Sequence, residues 1–103
     1  MLLFLQMRWK IEGQITLEEL WKKEVSEAAH ALTPNNPVKL VGIWKVVSQR
    51  RVIAIVDAPS GDEMDRETFG LPLANYLELE QVWPLREYAA FIDDCKRGFK
   101  WDH

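Results

Sequence analysis

Glu24 is the residue whose type and position best suit chemistry. Apolar side chains recur at three-and-four spacing through Leu17, Leu20, Trp21, Ala28, Ala31 and Leu32, and Glu24 stands where that stripe calls for another. A helix there would turn a carboxylate toward a core. Because an ionised carboxylate taken out of water without partners is costly, Glu24 is expected either to pair or to hold its proton more tightly than usual. A carboxyl tuned upward in this way is a good general base near neutral pH. The plainer alternative places Glu24 at the stripe edge, or in a helix pair with the preceding Lys22-Lys23 turn.

The groups that could assist such a base are polar residues inside otherwise apolar segments. They are Gln6 and Arg8 late in the first apolar run, Lys45 and Gln49 in the second, and Arg51 at the start of the third. Any one of these five is a candidate to hold a developing oxyanion. Tyr76 offers a phenol to a pocket or a ring to the core. The five tryptophans, at 9, 21, 44, 83 and 101, supply flat apolar surfaces, and Trp44 with Gln6, Gln49 and Tyr76 is a candidate to line a site for a ring-shaped ligand. His30 reads as a helix-surface residue.

What is absent narrows the chemistry. No phosphate loop, dinucleotide-binding glycine pattern, nucleophile elbow or paired-cysteine motif occurs, so phosphate, nicotinamide, acyl-enzyme and redox chemistry have no support. The lone Cys95 cannot form an internal disulfide, and with only His30 and His103 beside it no metal-ligand set is expected; a reducing cytoplasm is the expected compartment. A net charge of −3 with mixed signs argues against a nucleic-acid partner. The run Met1 to Met7, followed by Arg8 and Lys10, reads as a strand rather than a leader, and nothing approaches the roughly twenty apolar residues of a membrane span.

The elements that must position these residues follow from local signals. At 103 residues and 48% hydrophobic content the chain is expected to form a single domain over 1–103. A first strand ends before Gly13. Thr16 with Glu19 has capping-box spacing and opens a helix from about Leu17 to Leu32, stopped by Pro34-Asn35-Asn36-Pro37. Val38 to Val47 and Arg51 to Val56, joined by Ser48-Gln49-Arg50, read as an antiparallel hairpin. Ser60 with Glu63 repeats the capping-box spacing and opens a shorter helix to about Phe69, before Gly70 and Pro72. Leu77 to Trp83 is a last strand, interrupted at Pro84, and Tyr88, Phe91, Ile92, Cys95 and Phe99 form a stripe on a C-terminal helix of about 86–99. The order β-α-β-β-α-β plus a terminal helix is the ferredoxin-like α+β arrangement, with both main helices on one side of an antiparallel sheet.

Leu40 to Trp44 and Val52 to Val56 are apolar at odd and even positions alike, which predicts a sheet buried on both faces. Two helices cover one face. The other is expected to meet a second copy of the chain, giving a dimeric α+β barrel or a larger ring, unless the terminal helix folds back over it.

With these elements in place, the chain resembles the muconolactone isomerase family. The resemblance runs from the Met1 to Met7 start, through Glu24 with Ala28 and Leu32, to Trp44-Lys45-Val46, Val56-Asp57-Ala58-Pro59-Ser60, and Leu71-Pro72-Leu73 with Tyr76 and Glu80. It covers about residues 1 to 85. Ser48-Gln49-Arg50 stands where the family has Gly-His-Tyr, and the tail from Tyr88 has no counterpart. The resemblance implies a cofactor-free, oligomeric enzyme that moves a double bond within an unsaturated lactone or related aromatic-derived ring. Glu24 would be the base, and Arg8, Arg51 or Gln49 the donor. Two other functions compete: a noncatalytic module that holds a small ligand or a partner chain, and a cofactor-free monooxygenase of the dimeric barrel type.

Overall fold

In the computed structural model, which describes residues 1–71 and 73–101, the elements follow the expected order. They are β1 (Leu2–Trp9), α1 (Leu17–Ala31), β2 (Lys39–Lys45), β3 (Arg51–Asp57), α2 (Gly61–Gly70), a short 3₁₀ turn (Ala74–Tyr76), β4 (Leu77–Leu85) and α3 (Tyr88–Lys96). The strands form one four-stranded sheet in the order β2-β3-β1-β4, with every neighbouring pair antiparallel. This is the ferredoxin-like α+β arrangement. Pro72 and His103, which carried sequence readings above, lie outside the described residues.

Capping chemistry sets both main helices. Thr16 Oγ1 accepts the Glu19 N–H at 3.2 Å and the Glu19 carboxylate reaches back to the Thr16 N–H, a complete capping box. At α2 only half of that box forms. Ser60 Oγ accepts the Glu63 N–H, while the Glu63 carboxylate pairs with Arg66 instead.

Strand alternation sorts side chains between two faces. Leu3, Leu5 and Trp9 of β1 and Val52, Ala54 and Val56 of β3 point to the helix side and are buried. Phe4, Gln6, Arg8, Arg51, Ile53 and Ile55 point to the other side. Two bulges perturb this pattern, one between Leu40 and Gly42 in β2 and one opposite Gln6–Met7 in β4. Between β2 and β3 the turn places Ser48 at φ 62, in the left-handed region.

Three expectations require correction. Pro84 does not interrupt β4: it pairs opposite Leu3 within the strand, which an edge position tolerates because only one side of the strand has a neighbour. The terminal helix is shorter than 86–99, because Gly98 and Phe99 take positive φ angles of 65° and 59°. The α1 stripe is only partly buried. Leu20 packs with Trp9, Ile11, Val52 and Leu73, whereas Leu17, Trp21 and Leu32 remain exposed.

The sheet's second face is left uncovered by the described residues. Val41, Trp44 and Trp83 there are 61%, 56% and 54% exposed, and no residue of α3 is buried. The chain is also extended, with a radius of gyration of 16.7 Å. A compact domain of this length has about 13 Å.

Candidate active site beneath the first helix

Leu20 ties the first half of α1 to the sheet, and the second half roofs a cavity of about 170 Å³. The floor is Leu5, Met7, Val52, Ala54 and Val56; α2 closes one side with Met64 and Glu67. Ala28, Ala31 and Ala54 leave the space open, since none fills the gap between helix and sheet. The volume suits one small ring: a dry apolar cavity of about 150 Å³ binds benzene.

Glu24 stands at the junction of this inner chamber and a wider outer one of about 550 Å³. The outer chamber is formed by Trp9, Leu17, Trp21 and the β2–β3 end, with Lys45, Ser48, Gln49 and Arg50. Glu24 is half-buried and its Oε2 is buried without a hydrogen-bond partner among the described residues. Desolvation raises its pKa; the Glu27 and Trp9 side chains partly oppose the rise. Trp9 Nε1 is likewise buried without a well-formed hydrogen bond, yet it lies near enough to Glu24 to favour the carboxylate.

Glu27 was not singled out from sequence. It is 8% exposed, and its Oε1 accepts the Leu73 N–H at 3.2 Å. Burial first, then the charge of Glu24, push its pKa up to about 7. A signal for it existed: Leu20, Glu24, Glu27 and Ala31 follow a four-three-four spacing, the repeat of one helix face. Asn36 was also missed. It is buried, accepts the Val38 N–H at 3.0 Å and donates to Glu67 Oε1 at 2.9 Å, closing the chamber's far end.

The structure does not bring Arg8, Arg51, Gln6 or Trp44 to Glu24. All four lie on the opposite face of the sheet, because β1 turns its even residues and β3 its odd residues away from the helices, and Trp44 pairs opposite Ile53 on that same face. There Arg51 grips Glu80 through two hydrogen bonds of 2.8 and 3.0 Å, and Gln6 donates to Glu80 at 3.1 Å. Those donors hold the Glu80 carboxyl down to about 2. Arg8 pairs with Glu12 and Glu78. Gln49 accepts from Arg51 and also lines the outer chamber, so it borders Glu24's side of the molecule. Tyr76 packs against the Trp9–Leu73 cluster.

Lys45 Nζ donates to the Val46 carbonyl, while Arg50 pairs with Glu12. Cys95 is exposed. Among the described residues no group of three His, Cys, Asp or Glu side chains could hold a metal ion, and no helix is long and apolar enough to cross a membrane.

A paired-carboxyl chamber under the first helix of a ferredoxin-like sheet now stands beside the sequence comparison. The family described as muconolactone delta-isomerase matches residues 1–90. The chain belongs to that family. The match spans β1 to β4 and ends three residues into α3, so both chambers lie wholly inside the muconolactone delta-isomerase region. No curated protein matches the chain. Membership supports isomerase or related α+β barrel chemistry on a small molecule.

Proposed function

We propose that this protein is a cofactor-independent isomerase that shifts a double bond in an unsaturated lactone or related ring, with Glu24 as the base. The observation that carries this reading is the Glu24 carboxylate, half-buried, with no partner for Oε2 among the described residues, and lining both a ring-sized apolar chamber and the wider one beside it. Desolvation strengthens it as a base without removing its access to the outer chamber.

The reaction needs little else. Glu24 removes a proton made acidic by conjugation to the ring carbonyl, the charge spreads onto the carbonyl oxygen, and the same proton returns at another carbon. The inner chamber takes the uncharged ring. An acidic arm, as in muconolactone, stays in the outer chamber, where Lys45 has no carboxylate partner among the described residues and Gln49 offers an amide. Tyr76 acts from beneath, through the Trp9 cluster.

The protein works as a homo-oligomer. Val41, Trp44 and Trp83 on the open sheet face form an apolar surface suited to a second copy, and Gln6, Arg8 and Arg51 then lie at that interface rather than at Glu24. This face also favours an assembly role, which binding without turnover would reveal.

The test is proton–deuterium exchange into muconolactone followed by NMR. Wild type should exchange and isomerise the lactone, while Glu24→Gln should lose about 10²–10⁴-fold in rate. Undiminished exchange by a folded Glu24→Gln protein would remove Glu24 as the base.

A further inference from the structure

A base alone does not complete this site. The charge that reaches the carbonyl oxygen needs a donor, and the arginines that could supply one are engaged on the far face of the sheet. No Lys, Arg or His is among the described residues that line the inner chamber. Of the neutral donors there, Asn36 Nδ2 is committed to Glu67, the Trp9 indole is turned toward Glu24, and Thr68 belongs to α2, across the chamber from the helix that carries Glu24.

Glu27 remains. It sits one helical turn from Glu24 on the same face of α1, and the Leu73 N–H fixes one of its oxygens. The groups that face it are Glu24 on its own helix, Glu67 on α2 and the Leu73 amide; none is a cation. Two carboxylates and apolar walls therefore act together to keep a proton on Glu27. The charge of Glu24 adds to the rise at Glu27, so that of the two carboxyls Glu27 is the one kept protonated near neutral pH.

We propose that Glu27 is a second catalytic residue, donating a hydrogen bond to the substrate's carbonyl oxygen while Glu24 removes and returns the carbon-bound proton. The inference rests on the isomerase reading. Glu24 forms an O–H bond as the C–H electron pair enters the conjugated system. Negative charge collects on the carbonyl oxygen, and the hydrogen bond that oxygen accepts from the Glu27 O–H shortens, with the proton staying on Glu27. The proton on Glu24 then bonds to the other carbon, so nothing is oxidised, reduced or released. A buried carboxylic acid kept neutral is an effective donor to an enolate in an apolar site.

The test compares Glu27→Leu and Glu27→Gln with wild type on muconolactone, with circular dichroism to verify folding. Glu27→Leu should lower kcat about 10²–10³-fold, as removal of one oxyanion donor does. Glu27→Gln keeps a donor and an acceptor for Leu73, so it should lose less, and its kcat should no longer fall as pH rises through about 7. A wild-type pH profile in Glu27→Gln, or an unchanged kcat in Glu27→Leu, overturns the inference.

A second arm does not depend on turnover. Binding of 4-nitrophenol, whose phenol oxygen mimics the enolate, is followed by absorbance in Glu24→Gln protein; adding Glu27→Leu should weaken it about tenfold, the worth of one hydrogen bond. If wild type leaves muconolactone unchanged while phenol binding depends on Glu27, the isomerase reading fails and the donor stands. If muconolactone is turned over and phenol binding ignores Glu27, the donor falls and the reading stands.

Discussion

Replacing Glu27 with Gln should make the protein more stable at alkaline pH, and the size of the gain follows from the burial of one carboxyl. In the unfolded chain Glu27 titrates near 4.5; in the fold it titrates near 7. The difference corresponds to about 3 kcal/mol between its protonated and ionised forms. Because the folded pKa is the higher one, the folded state binds the proton more tightly, and the stability this contributes is complete below pH 4.5. It is lost as pH rises through about 7. Glutamine keeps the acceptor for the Leu73 N–H and cannot ionise, so Glu27→Gln should match wild type near pH 4 and exceed it by up to about 3 kcal/mol at pH 8. Urea unfolding at fixed protomer concentration, across pH 4 to 9, reads this directly. With a denaturant slope of about 1–3 kcal/mol/M, the midpoints should separate by roughly 1–3 M at pH 8. Two parallel stability curves, or a variant weaker than wild type at pH 8, would show that Glu27 is not held in the environment described. Glu24→Gln should shift the curve in the same direction, and the double variant should be non-additive because the charge of Glu24 acts on Glu27.

On the opposite face the sign reverses. Arg51 and Gln6 hold Glu80 down to about 2, so its contribution is present above pH 4.5 and fades as pH falls toward 2; Glu80→Gln should remove that acid-side loss in the same unfolding experiment. A Cβ at Gly42 would come within 2.5 Å of the Trp44 ring, whose indole lies across the glycine. Gly42→Leu should therefore push Trp44 off the open face, with altered tryptophan fluorescence and weaker self-association by sedimentation, while unfolding stays cooperative. Thr16→Ala removes the α1 cap and should cost about 1 kcal/mol in urea unfolding, since the Glu19 N–H loses its acceptor.

Much of the scaffold was legible because its signals are local. The capping spacings at Thr16 and Ser60 and the Pro-Asn-Asn-Pro stop depend on a few neighbouring residues, and the element order that follows leaves one sheet topology. The misplaced details have a common cause in context that lies outside the local sequence. Pro84 reads as a strand breaker until β4 proves to be an edge, and the α1 stripe reads as fully buried until small residues beneath it leave a chamber.

From sequence alone came the element order, the family resemblance and Glu24 as a carboxylate on a core-facing stripe, all matters of periodicity and spacing along one segment. Only the tertiary structure decided which groups stand together at the site. A strand sends alternate side chains to opposite faces, so Arg8 and Arg51, near in the sequence argument, ended on the far side of the sheet with Glu80 and Glu78. Glu27 became the partner of Glu24 through burial, the nearby carboxylates and the amide of Leu73, a residue brought to the helix by the fold. A pKa is set by the surroundings a side chain acquires in space, and those surroundings come from several separate elements at once.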